Sequence, residues 1–111
     1  MSKAYFVLVV ADMDRALAFW KDLGLDPAMV SPEWSELRWG EATLALHGGG
    51  DGVGGDTGLG FEVTDLDDAV AQVETAGGTV VERPSARPGE GIRLATVADP
   101  EGNRFFLAES A

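Results

Sequence analysis

The chain has 111 residues, no cysteine and a formal net charge of −11, from 19 acidic against 8 basic side chains. That length suits one ordinary domain, able to bury roughly two-thirds of the surface its unfolded chain exposes without covalent staples. The charge sets the field against nucleic-acid phosphates and anionic lipid, favouring neutral or cationic ligands, while the missing cysteine excludes disulfides, thiolate metal sites and a thiol nucleophile and accords with a reducing, cytoplasmic setting. The run from Ala4 to Val10 is β-branched and aromatic, which predicts a strand buried on both faces. It is too short for a secretory leader and leads directly into Asp12 and Asp14, and no stretch approaches the roughly 18 apolar residues of a membrane span. A soluble protein with no nucleic-acid or membrane partner is expected.

Asp12 is placed to cap a helix whose apolar positions Met13, Ala16, Leu17, Trp20 and Leu23 recur at three- and four-residue steps, with Gly24 as its terminator. Three extended segments follow, around Ala28 to Ser31, from Trp34 to Trp39 and from Ala42 to His47, the last two joined by a tight turn at Gly40 and Glu41. The pattern then restarts. The segment from Val10 to Leu17 (VADMDRAL) reappears as Val63 to Val70 (VTDLDDAV), 53 residues on, which marks an internal repeat. In the second copy Leu59 to Val63 reads as the strand and Asp65 as the cap. Leu66, Ala69, Val70, Val73 and Ala76 form the helix stripe, closed by Gly77 and Gly78. Three more strands are predicted at Thr79 to Glu82, Ile92 to Val97 and Arg104 to Ala108, with a turn from Asp99 to Asn103.

The reading is therefore α+β, two tandem βαβββ modules at residues 1–47 and 58–111, joined by a glycine-rich connector at 48–57 whose composition predicts mobility. Gly50, Gly52 and Gly55 spell the spacing of a dinucleotide loop, but a strand follows where that motif requires a helix N-terminus for the pyrophosphate. Residues 83–91, with Pro84 and Pro88, read as a second long loop placed to form a flap.

Two stretches carry a family resemblance. Val10 to Leu25 (VADMDRALAFWKDLGL) is similar to the first helix and following turn of the vicinal oxygen chelate superfamily, and Asp99 to Leu107 (DPEGNRFFL) to its last turn and strand. That superfamily includes glyoxalase I, extradiol dioxygenases and bleomycin resistance proteins. The resemblance covers nearly the whole chain and implies two βαβββ units curled into an open, barrel-like cleft, often completed by a homodimer. In metal-dependent members four ligands line the cleft, on the first and last strands of each module. The matching positions here are Tyr5, Ala45, Gly58 and Phe106, none a usual divalent-metal ligand, so no metal and no cofactor is expected. His47, the only histidine, lies two residues beyond Ala45 on the same face of its strand, and a lone imidazole is a poor metal site.

Strand alternation sends Tyr5, Val7 and Val9 toward the cleft, with Thr43, Ala45 and His47, then Gly58, Gly60 and Glu62, and Arg104, Phe106 and Ala108. The candidate ligand contacts are Tyr5, Val7, His47, Glu62, Arg104 and Phe106, with Arg93 beside them. Trp34 and Trp39 join them as candidates; being five apart they face opposite sides of their strand, so one of the two is expected to reach the cleft or a dimer seam. An aromatic wall in acidic surroundings suits a flat or cationic small molecule through stacking and cation–π contact. The favoured reading is a metal-free binding protein that sequesters an antibiotic or other natural product. The alternatives are a glyoxalase-like or dioxygenase-related enzyme with displaced metal ligands, and a metal-independent isomerase or lyase using His47, Glu62 or Tyr5 as acid or base.

Overall fold

The computed structural model describes residues 1–110 and divides into two compact units, Met1–Val53 and Gly54–Ala111. The first runs β1 (Phe6–Val9), α1 (Met13–Asp22), β2 (Asp26–Met29), β3 (Trp34–Trp39) and β4 (Ala42–His47); the second runs β5 (Asp56–Glu62), α2 (Leu66–Thr75), β6 (Thr79–Arg87), β7 (Ile92–Ala98) and β8 (Arg104–Ser110). Each unit holds one four-stranded sheet, ordered β1-β4-β3-β2 and β5-β8-β7-β6. The β1–β4 and β5–β8 pairs are parallel and the others antiparallel, so each unit is the expected βαβββ module.

The two helices are built alike because the repeat carries both of their ends. Asp12 Oδ1 accepts from the Arg15 N–H and Asp65 Oδ1 from the Asp68 N–H, each at 3.0 Å, satisfying a donor that the first helical turn would leave unpaired. Gly24 and Gly77 take φ of 102° and 105°, where a side chain would be strained, and the chain closes each helix with paired terminal bonds. Gly24 N–H donates to Lys21 O and Leu25 N–H to Trp20 O, as do Gly77 to Glu74 O and Gly78 to Val73 O.

Each helix buries one stripe on its own sheet. In the first unit Ala16, Leu17, Phe19 and Trp20 meet Leu8, Val10, Leu37, Leu44 and Leu46 in the core, with the Phe19 and Trp20 rings edge-on at 5.0 Å. The second core gathers Leu66, Val70, Val73, Val97, Phe105 and Leu107. Phe19, absent from the predicted stripe, is buried beside Trp20.

Three expectations need correction. The first strand is covered on one face only: Leu8 and Val10 are buried, whereas Tyr5, Val7 and Val9 remain 49%, 44% and 55% exposed. The second strand begins two residues earlier than its apolar run, at Asp26. The flap is absent, because β6 continues through Pro84 to Arg87. Its register with β7 gains one extra residue between Glu82 and Ser85, a bulge that accommodates the proline on an edge strand where its missing N–H costs no ladder bond. Among the connector's glycines, Gly48, Gly50 and Gly54 lie close against other parts of the chain, whereas Gly49 and Gly55 have open space beside them. A Cβ on Gly48 would lie 2.2 Å from Pro32 O and one on Gly54 2.1 Å from Gly102 C, while Gly48 and Gly50 donate to Glu33 O and Val10 O at 2.9 Å. Its last two residues, Asp56 and Thr57, already belong to β5.

Candidate functional site

Each sheet has one face under its helix and one left open, and the registers decide which residues share the open face. In the first unit one cross-strand row is Val7, Ala45 and Glu36 and the next is Val9, His47 and Trp34. Ser35 and Leu37, of opposite parity, are buried on the helix side. Trp39 shares their parity and its ring abuts Gly24 at the end of α1, where a Cβ would come within 3.2 Å of it. Trp34 is therefore the tryptophan of the open face, and Trp39 is not brought to it.

Trp34 is held by a local clamp. Ser31 Oγ accepts from the Trp34 N–H at 3.2 Å and donates to Trp34 O at 2.7 Å, while the buried Ser35 Oγ donates to Ser31 O. The Tyr5 ring stands edge-on to Trp34 at 5.8 Å and the His47 ring at 6.2 Å, giving an aromatic wall of three side chains. Trp34 Nε1–H donates to Glu36 Oε2 at 2.8 Å, and Lys3 Nζ reaches Glu36 Oε1 at 2.6 Å. The Lys3 ammonium and the Trp34 indole together hold the Glu36 carboxyl below its ordinary range, outweighing the desolvation that opposes them. His47 Nδ1 lies 2.7 Å from Gly48 O. A carbonyl only accepts, so Nδ1 carries the proton and Nε2 presents a lone pair in the neutral ring.

In the second unit the tip of the Phe106 ring lies against Gly60, its partner on β5; a Cβ at Gly60 would sit 2.1 Å from Phe106 Cζ. The Asp99 carboxylate braces the turn that leads into the strand of Phe106. It accepts from Glu101 N–H, Asn103 N–H and Asn103 Nδ2 at 2.8–2.9 Å, fixing the turn from which β8 starts. A groove of about 460 Å³ opens beside the ring, lined by Glu82, Ser85, Arg87, Leu94, Thr96 and Phe106.

Of the other expected contacts, Arg104 pairs with Asp56 at 3.8 Å on the surface and Glu62 accepts from Ser110 Oγ at 3.4 Å. Arg93 is not on the open face. It pairs with Glu109 Oε1 at 3.3 Å and Asp67 at 3.4 Å, and Glu109 Oε2 accepts from the Leu66 N–H at the start of α2. Its register partner Glu109 has the opposite parity to Phe106, which is the physical reason it turns away. Sequence reasoning missed Lys3, Glu36, Glu82 and Arg87. Period two from Trp34 points to Glu36, but nothing in the spacing links Lys3 to it.

The registers also relate two of the four positions that the resemblance matches to metal ligands, Ala45 and Phe106, while Tyr5 precedes the β1 ladder and Gly58 lies where the β5–β8 register shifts. Val7 pairs with Ala45 and Gly60 with Phe106, and Val7 and Gly60 are themselves 53 residues apart, so Ala45 and Phe106 are equivalent points of the two modules. His47 is equivalent to Ala108, one pleat further along, and the β1–β4 register runs without a shift that would move it. The residues present, a phenol, a methyl, a hydrogen and a phenyl ring, do not fit a divalent metal. Among the described residues no three His, Cys, Asp or Glu side chains converge elsewhere.

Two βαβββ modules with matching strand order, each with an open sheet face, define the architecture of glyoxalase and bleomycin resistance proteins. The chain belongs to the glyoxalase-like domain family, whose sequence profile matches residues 5–108, and hence to the vicinal oxygen chelate superfamily. A member of the glyoxalase/bleomycin resistance protein/dioxygenase superfamily from Sphaerobacter thermophilus is similar in structure, with TM-score 0.76 and 27% identity over 97% of this chain and 98% of that one. A genomically encoded fosfomycin resistance protein from Listeria monocytogenes has the same fold, with TM-score 0.82 and 12% identity over 100% and 94% of the chains. An integron cassette protein from Vibrio cholerae is 26% identical with TM-score 0.72, over 100% and 98%. No protein of curated function matches the sequence significantly. Among the described residues no helix is long and apolar enough to cross a membrane.

Proposed function

We propose that this protein binds a small organic molecule on its open sheet faces without a divalent metal, sequestering an aromatic or cationic natural product such as an antibiotic. The observation that carries the reading is the pair of equivalent positions Ala45 and Phe106. They carry a methyl and a phenyl ring at the positions that the resemblance matches to metal ligands, while Trp34, Tyr5 and His47 form an aromatic wall. Phe106 and the groove beside it supply a second stacking surface with a carboxylate and a guanidinium at its rim. The homodimer common in the superfamily belongs to this proposal and is checked by sedimentation.

The test is a thermal-shift and tryptophan-fluorescence screen of polycyclic and cationic natural products, followed by Trp34→Phe and Phe106→Ala. A true ligand saturates the quenching, and at least one of the two substitutions weakens it about tenfold, in keeping with the loss of one aromatic contact of about 1.4 kcal/mol. Hits that neither substitution affects would refute the placement.

A second reading rests on His47, whose Nδ1 is tied to Gly48 O, which leaves Nε2 as the candidate acid–base atom. Turnover of a screened hit, abolished by His47→Gln with binding retained, would favour a metal-independent isomerase or lyase.

A further inference from the structure

Glu36 is anchored on β3, with its side chain only 9% exposed, and its direct counter-cation comes from the segment ahead of the first strand. Lys3 precedes β1 and takes part in no ladder, and its side chain is 41% exposed. Its Nζ nevertheless contacts Glu36 Oε1 and sits 4.9 Å from the centroid of the Tyr5 ring. A carboxylate and an aromatic face converging on one nitrogen are the two groups that recognise an ammonium ion. The carboxylate is fixed by the ladder and by the Trp34 indole; the ammonium is on a tether.

We propose that Glu36 and Tyr5 form an ammonium-binding site that the chain fills with its own Lys3, and that a primary alkylammonium group of a ligand exchanges with it. This rests on the open face being the ligand face and names the cationic group such a ligand presents there. Exchange swaps like for like, so the buried carboxylate is never left unpaired, a state that would be strongly unfavourable. The ligand competes only against the effective concentration of a short tether, of millimolar order. Lys3 thus acts as a built-in competitor that sets a threshold for cationic ligands.

The experiment uses n-butylammonium, which reproduces the lysine side chain, in buffer with excess EDTA so that no metal contributes. Binding is read from the Trp34 indole N–H resonance and from thermal midpoints in wild type, Lys3→Ala, Lys3→Met and Lys3→Ala/Glu36→Gln. The expected result is a lower midpoint in both single variants, restored by butylammonium, with an apparent affinity at least tenfold tighter than in wild type and no response in the double variant. Equal affinity in wild type and the Lys3 variants would overturn the proposal, as would an equal response with and without Glu36. Should butylammonium rescue Lys3→Ala while no natural product binds wild type, the ammonium site stands and the broader ligand reading falls. Hits in the screen with no rescue of Lys3→Ala would overturn the ammonium site and leave the broader reading standing.

Discussion

At the scale of single residues, two positions set the charge and the shape of the open faces. Glu36 has its pKa depressed in the folded protein, so its contribution to stability is present above the unfolded value of 4.5 and is lost as pH falls through the lower folded value. Glu36→Gln should therefore be less stable than wild type in urea at pH 7, and the difference should shrink as pH is taken progressively below 4.5. A constant difference across that range would place the effect in packing instead. Gly60 is the second case. Because a Cβ there would overlap the Phe106 ring, Gly60→Ala should destabilise by about 1–3 kcal/mol through overpacking. The same substitution in a Phe106→Ala background should cost much less, and urea titration of the four proteins gives that coupling directly.

At the scale of elements, the turns matter as much as the strands. Asp99 accepts three hydrogen bonds in a site that is 2% exposed and so decides where β8 begins. Asp99→Ala should lower stability by about 2–3 kcal/mol, since bonds to a charged acceptor are among the stronger ones and the donors would be left unpaired. It should also loosen Phe106, visible as loss of the ring's contacts in NMR spectra. The helices were legible from Asp12, Asp65, Gly24 and Gly77, because capping is local chemistry written in adjacent residues. The strand β6 was not, since Pro84 reads as a breaker and only its position on a sheet edge, beside a bulge, lets the strand pass through it. Composition likewise does not show that Gly48 and Gly54 lie against backbone, a contact made only by the folded chain.

At the scale of the whole molecule, the internal repeat was the most legible feature. Its 53-residue offset reappears in helix caps, helix ends and strand registers alike. The site was legible only in part. Tyr5, Trp34, His47 and Phe106 follow from alternation once the strands are placed. Trp39 lies opposite Trp34 as their spacing requires, and Arg93, which alternation did not select, is turned from the open face by its register with Glu109. The Lys3–Glu36 pair, 33 residues apart, is a tertiary contact with no local signature. Acidity is shared between the modules, with four basic against eight acidic residues up to Val53 and four against eleven after it. Such a field draws cations to both open faces, an attraction that salt should weaken.

A glyoxalase-like chain that binds an organic ligand in place of a divalent metal must stay indifferent to nickel, zinc and manganese when the purified protein is titrated with them after chelator treatment. Calorimetry should record no stoichiometric heat at micromolar metal, and the thermal midpoint should stay unmoved where a true ligand at a hundred times its Kd would add about 2.7 kcal/mol. One equivalent of tightly bound metal, lost on substitution of His47 or Tyr5, would contradict that reading.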